Sequence, residues 1–90
     1  MATQSISMPN QPLDVATGAQ NVTVSFADGS GEWQITSGGA LSRHGHWLGQ
    51  KSASLALADG ETLTITGAGI LVATADTFSA AFDALPKLTV

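Results

Sequence analysis

The chain has 90 residues, no cysteine, and three basic against seven acidic side chains, for a net charge of −4. That length makes one domain, and the missing cysteine removes disulfides, thiolate metal sites and cysteine nucleophiles. The absence of any Lys/Arg cluster argues against a nucleic-acid partner, because binding a phosphate backbone needs one.

Residues Met1–Pro12 are polar and contain Pro9 and Pro12, so they read as an extended N-terminal arm. A short strand around Ser5–Met8 fits there only as an edge strand, since proline cannot donate to a ladder. The remainder, residues 13–90, reads as a single β domain. Leu13–Ala16 is a short strand and Thr17–Asn21 a turn. Val22, Val24 and Phe26 alternate with polar residues, which predicts a strand with one buried face. After the turn at Ala27–Gly31, Trp33 and Ile35 alternate in the same way, and the two strands are expected to pair as a hairpin. Ser37–Lys51 holds four glycines, Arg43, both histidines and Trp47. It reads as a loop with a short strand near His46–Leu48. A second hairpin is expected over Ser52–Thr66, with Leu55 and Leu57 before Asp59-Gly60 and Leu63 and Ile65 after it. Gly69–Thr74 is a further strand. In Phe78–Leu85 the apolar residues Phe78, Ala81, Phe82 and Leu85 fall at helical spacing, with Asp76 or Thr77 as cap and Pro86 as stop. Phe78, Ala80 and Phe82 also alternate as in a strand, and helix is the favoured reading. Lys87–Val90 is a last short strand. The predicted fold class is mainly β: a small antiparallel β-sandwich or barrel of about six to eight short strands, with a short helix near residues 78–85.

Only 11% of the residues are charged, against about 25% in an average soluble domain. Ser, Thr, Gly, Ala and Gln take their place, which points to a surface partly covered in an assembly, the other reading being a Thr/Ser-faced sheet of the kind many β proteins have. No apolar run approaches the length that spans a bilayer, and Met1–Ser5 lacks the basic and apolar regions of a signal peptide. Synthesis in the cytoplasm and no membrane partner are the corresponding expectations.

The side chains that invite a chemical reading are Arg43, His44, His46 and Trp47. His44 and His46 are two residues apart, so on a strand they share a face. A zinc site nearly always needs three protein ligands, and the chain has no third histidine and no cysteine, so no metal is expected. No Gly-x-Ser-x-Gly elbow is present, and Asp59 and Glu61 flank a turn that wants Asp for its geometry. No catalytic residue, cofactor or metal ligand is assigned. Trp33 sits in a regular strand and reads as core. Trp47 sits among glycines beside polar donors, the setting of an interface anchor or a sugar platform, or of a side chain folded back over the core. The four residues are therefore candidate contact residues.

The order Trp33-Gln34-Ile35-Thr36-Ser37-Gly38, Gly45-His46-Trp47-Leu48, Leu57–Thr66 and Gly69–Ala73 resembles the small β-sandwich virion proteins of tailed bacteriophages, such as head-decoration and fibre-associated proteins. In those a Leu-x-x-Gly-Glu-x-Leu-x-Ile segment precedes a strand carrying an apolar residue and Ala. The likeness covers about half the chain. It implies a non-enzymatic structural subunit, a capsid decoration or cement protein located in the virion. The implied partners are the major capsid protein or another virion protein, with homo-oligomer formation expected. The rival reading is a small carbohydrate-binding or adhesin-like module that uses the loop at residues 38–51.

Overall fold

The computed structural model describes residues 1–88. Eight strands follow one another: β1 (Ala2–Ser7), β2 (Leu13–Thr17), β3 (Gln20–Phe26), β4 (Ser30–Ser37), β5 (Ala40–Leu48), β6 (Lys51–Leu57), β7 (Glu61–Ala68) and β8 (Ile70–Ala75). A single turn of helix, α1 (Ala80–Asp83), comes last. The protein is a mainly β, antiparallel sandwich, as its alternating pattern predicts. The first sheet has the order β1-β8-β3-β6 and the second β2-β7-β4-β5.

The pairing follows one rule. Strand β1 pairs with β8, β2 with β7, β3 with β6 and β4 with β5, always antiparallel. This is a single long ribbon folded back at the β4–β5 tip and rolled up, so that successive pairs fall in alternate sheets and are joined by β3·β8 and β4·β7. Eight strands rolled in this way form a jelly roll.

Rolling changes what the turns do. Both expected hairpins are overturned: β3 and β4 lie in different sheets, and so do β6 and β7. The two Ala-Asp-Gly segments, Ala27–Gly29 and Ala58–Gly60, are corners that carry the chain from the first sheet to the second. A turn between two alternating runs is needed in either arrangement, so local pattern does not separate them. The β4–β5 connection at Gly38-Gly39 is a true tight hairpin. Both glycines have positive φ, +60° and +85°, the backbone that a type I′ turn demands at its two central positions. The expected loop over Ser37–Lys51 is therefore a hairpin tip followed by the nine-residue strand β5, with the Gly49–Gln50 turn beyond it.

The core lies between the inner faces. Val22, Val24, Phe26, Leu71 and Ala73 come from the first sheet, and Val15, Ile35, Leu63 and Ile65 from the second. Trp47 belongs to it. Its ring stacks on Phe26 with centroids 3.7 Å apart, and it is only 3% exposed. Room for the indole comes from two glycines. Gly31 is paired with Trp47, and Gly67 with Gly31. A Cβ on Gly31 or Gly67 would sit 2.5 or 2.7 Å from the ring. Trp33 shares the inner face but is half-buried. It lies over Gly45, where an added Cβ would come within 2.5 Å of its ring. Both tryptophans thus rest on a glycine of a neighbouring strand.

A sandwich has two open sides, and each is closed differently. On the β1/β2 side the C-terminal segment lies along the gap: the Ser79 amide donates to Val15 O (2.9 Å) and the Leu88 amide to Ser5 O (2.8 Å). Phe82 is fully buried there and stacks on Phe78 at 4.6 Å. The helical spacing of these residues is realised, but the helix is one turn long. Its N-cap is Ser79, without a side-chain capping bond, and not Asp76 or Thr77. The expected strand over Lys87–Val90 lies partly outside the described residues, and Lys87 and Leu88 form no strand. The N-terminal arm is likewise corrected. Residues 2–7 are the edge strand β1, and Ile6 (0% exposed) and Met8 (7%) are core residues. Alternation is hard to read there, because a single Ile and a single Met carry the apolar face.

Candidate functional site

Four strands are sheet edges: β1 and β6 in the first sheet, β2 and β5 in the second. Unpaired edges invite strand addition from another chain. Here each edge has a main-chain carbonyl occupied by a group from outside its own sheet. The C-terminal segment serves Ser5 of β1 and Val15 of β2. Across the β5/β6 gap, Lys51 Nζ donates to His46 O at 3.2 Å, and the Arg43 guanidinium reaches back to Ala56 O. These two cations close the second open side reciprocally, one from each strand. The third, Lys87, donates to the carbonyls of Phe82 and Leu85, each at 2.7 Å, and sits over the Phe82 ring. All three basic side chains of the protein are thus engaged with its own backbone.

Arg43 also meets Glu61, at 3.2 Å, where the chain turns from β6 into β7. Glu61 is 8% exposed. Its carboxylate accepts from the Ala58 amide (2.7 Å), while its own amide donates to Ala58 O (3.1 Å), so the corner is tied twice. The Ala58 amide does most to hold the Glu61 carboxyl below the usual glutamate range. Burial works in the opposite direction, and Ser42 and Arg43 add to the lowering. This is a structural tie between the two sheets.

The four candidate contact residues therefore do not form one site. Trp47 is buried, so its indole offers no face to a ligand, and Arg43 is turned across the β5/β6 gap. His44 and His46 are exposed on the outer face of the second sheet, opposite Gln34 and Glu32. Asp14 also stands on that face and accepts from the Thr64 hydroxyl at 2.8 Å. Among the described residues no three His, Asp or Glu side chains converge as metal ligands, and no cavity is present. No helix among them is long and apolar enough to cross a membrane.

The other outer face is different in kind. Strands β1, β8, β3 and β6 each present three outward residues. Their register aligns them in rows across the sheet: Thr3–Thr74–Thr23–Ser54, then Ser5–Val72–Ser25–Ser52. Ser7 and Ile70 pair beyond one end, and Asn21 and Ala56 beyond the other. None of these side chains is charged. Nine of the ten charged residues of the chain lie in the inter-sheet corners, in the C-terminal segment, on the second sheet or in the β5/β6 closure, and the tenth, Asp76, sits at the margin of this face, 3.8 Å from the N-terminal ammonium. Neighbouring hydroxyls bond to one another, Thr3 to Thr74 at 2.8 Å and Ser25 to Ser52 at 2.9 Å. Low charge is visible in the composition, but its confinement to one face needs the strand order. Within single strands the signal is Ser or Thr at every second position of Thr3–Ser7 and Thr23–Ser25.

No protein-family model, curated protein or solved structure matches this chain.

Proposed function

We propose that this protein is a non-enzymatic structural subunit of a bacteriophage virion, a capsid decoration or cement protein that stabilises the particle through contacts with the major capsid protein or another virion protein. The observation that carries the reading is the uncharged outer face of the first sheet. Burying a charge against a partner is costly unless it is paired, whereas short hydroxyl side chains bury at much lower cost when they are hydrogen-bonded, and with little loss of side-chain freedom. A chain of net charge −4 that keeps the two full rows of one sheet face free of charge has a surface suited to protein contact. The occupied carbonyl on each sheet edge supports the same reading, because it hinders strand addition there and favours contact through a face. The jelly roll is shared by viral capsid proteins, lectin domains and cupins, so the fold supplies an analogy and the face supplies the argument.

The test is the protein composition of purified particles of the phage that encodes the chain. The expected result is a copy number in fixed ratio to the major capsid protein, with particles lacking the chain less resistant to heat. Particles that never contain the chain would overturn the proposal.

A further inference from the structure

We infer that the occupant of the uncharged face is a second copy of this chain, packed face to face about a two-fold axis. The inference rests on the reading of that face as a contact surface and assigns it to the contact between copies, so that the capsid or other virion protein is met by the remaining surface of the pair. Three observations lead to it. The first is charge. Two copies, each of net charge −4, repel wherever their acidic groups meet, and like charges across an interface are heavily penalised. The outer face of the second sheet carries Asp14 and Glu32, and the inter-sheet corners carry Asp28 and Asp59. The outer face of the first sheet has no charged side chain in its two full rows, and the acidic group at its margin, Asp76, stands 3.8 Å from the N-terminal ammonium of its own chain.

The second observation is chemical self-complementarity. A two-fold contact sets one patch against itself. Ser and Thr hydroxyls both donate and accept, so a grid of them can satisfy its own copy, which a patch of one-way donors or acceptors cannot. Thr74, Thr23, Val72 and Ser25 form the centre of the grid, on the two inner strands β8 and β3. Val72 and the 40% exposed Ile70 add apolar contact.

The third observation is size. Four strands about 4.8 Å apart, each with three outward residues about 6.8 Å apart, make a face of roughly 400 Å². Two such faces bury on the order of 800–1,000 Å² in total, at the weak end of specific interfaces. The pair is therefore a weak, reversible dimer. On a regular particle a contact of that strength is sufficient, because bivalent attachment multiplies it.

The experiment is sedimentation equilibrium of the full chain from about 10 μM to 1 mM. The weight-average mass should rise towards twice the chain mass of 9.1 kDa. Thr23→Lys and, separately, Ser25→Asp should each weaken association by roughly 100-fold by placing like charges at the centre of the pair. An equimolar mixture of the two variants should recover it. Thr64→Lys, on the outer face of the second sheet, should leave it unchanged. A mass that stays monomeric to 1 mM overturns the inference. So does a loss of association with Thr64→Lys equal to that with Thr23→Lys. Variants that melt like the parent and still dimerise overturn it too. A monomeric chain that is nevertheless present in purified particles removes the dimer alone, and a dimer absent from particles removes the virion role alone.

Discussion

Replacing Trp47 by alanine probes the part of the fold where local sequence and structure diverge most. The indole is 3% exposed and lies flat on Phe26 with the planes 9° apart. Its other neighbours include Gly31 and Gly67, which have no side chains to swing into the space that truncation leaves. The cavity cannot collapse, so the cost belongs at the upper part of the roughly 3–5 kcal/mol typical of buried aromatic-to-alanine changes. For a domain of this size about 1 kcal/mol corresponds to 4–8 °C, so the melting temperature should fall by roughly 16–40 °C. Trp33→Ala, at a half-buried site over Gly45, should cost about half as much, roughly 2 kcal/mol. Trp47→Phe should be milder than Trp47→Ala, since the ring contact with Phe26 is kept and the Nε1–H, which is buried without a hydrogen-bond partner, is removed. Thermal melts followed by far-ultraviolet circular dichroism, with denaturant titrations, measure all three. A Trp33→Ala variant that melts as low as Trp47→Ala, or lower, would refute the reasoning.

Further outcomes follow from the same geometry. Gly45→Ala should destabilise the parent by about 1–3 kcal/mol and cost far less in a Trp33→Ala background, because the atoms nearest the new methyl belong to that indole. A double-mutant cycle reads the coupling, and additive losses would contradict it. Deleting residues 1–12 removes β1 together with Ile6 and Met8 and should abolish cooperative unfolding. A truncated chain with a sharp melt would show that β1 is dispensable. On the acid side, the Glu61 carboxyl is lowered from its ordinary value near 4.5. Its contribution to stability is therefore complete above about that pH and is lost as pH falls through the lowered folded value. Glu61→Gln should flatten the fall in melting temperature on the acid side of about pH 4.5, and an unchanged slope would remove Glu61 from the acid response.

Much of the strand content is legible from alternation. Val22, Val24 and Phe26 are inward, as are Leu55, Leu57, Leu63 and Ile65, and each faces the core as its period-two pattern says. Which strand pairs with which is not written locally. The Asp-Gly at residues 59–60 is the most prominent hairpin signal in the chain, yet the two runs it joins go to different sheets. Only the closure of the whole ribbon, β1 onto β8 at its far end, decides that. The informative turn is Gly38-Gly39, whose pair of glycines suits a type I′ hairpin but is followed by a strand with little apolar alternation. In β5, Arg43 and Gly45 occupy inward positions that usually hold apolar residues. Arg43 is turned across to Ala56, and Gly45 makes way for Trp33, so the strand looks like loop. The candidate site was legible only as a total. The shortage of charge is a property of the whole composition, and it becomes a surface once register brings Thr3, Thr74, Thr23 and Ser54 into one row.

The central claim is that the outer face of the first sheet is covered by protein where the molecule acts. Its most direct test is particle occupancy by two matched variants, Thr23→Lys on that face and Thr64→Lys on the outer face of the second sheet, both first shown to melt like the parent. The account predicts that Thr23→Lys lowers the copy number on purified particles at least about tenfold, a change of roughly 1.4 kcal/mol, while Thr64→Lys binds at the parent level. Equal occupancy by the two variants, or loss with Thr64→Lys alone, would contradict it.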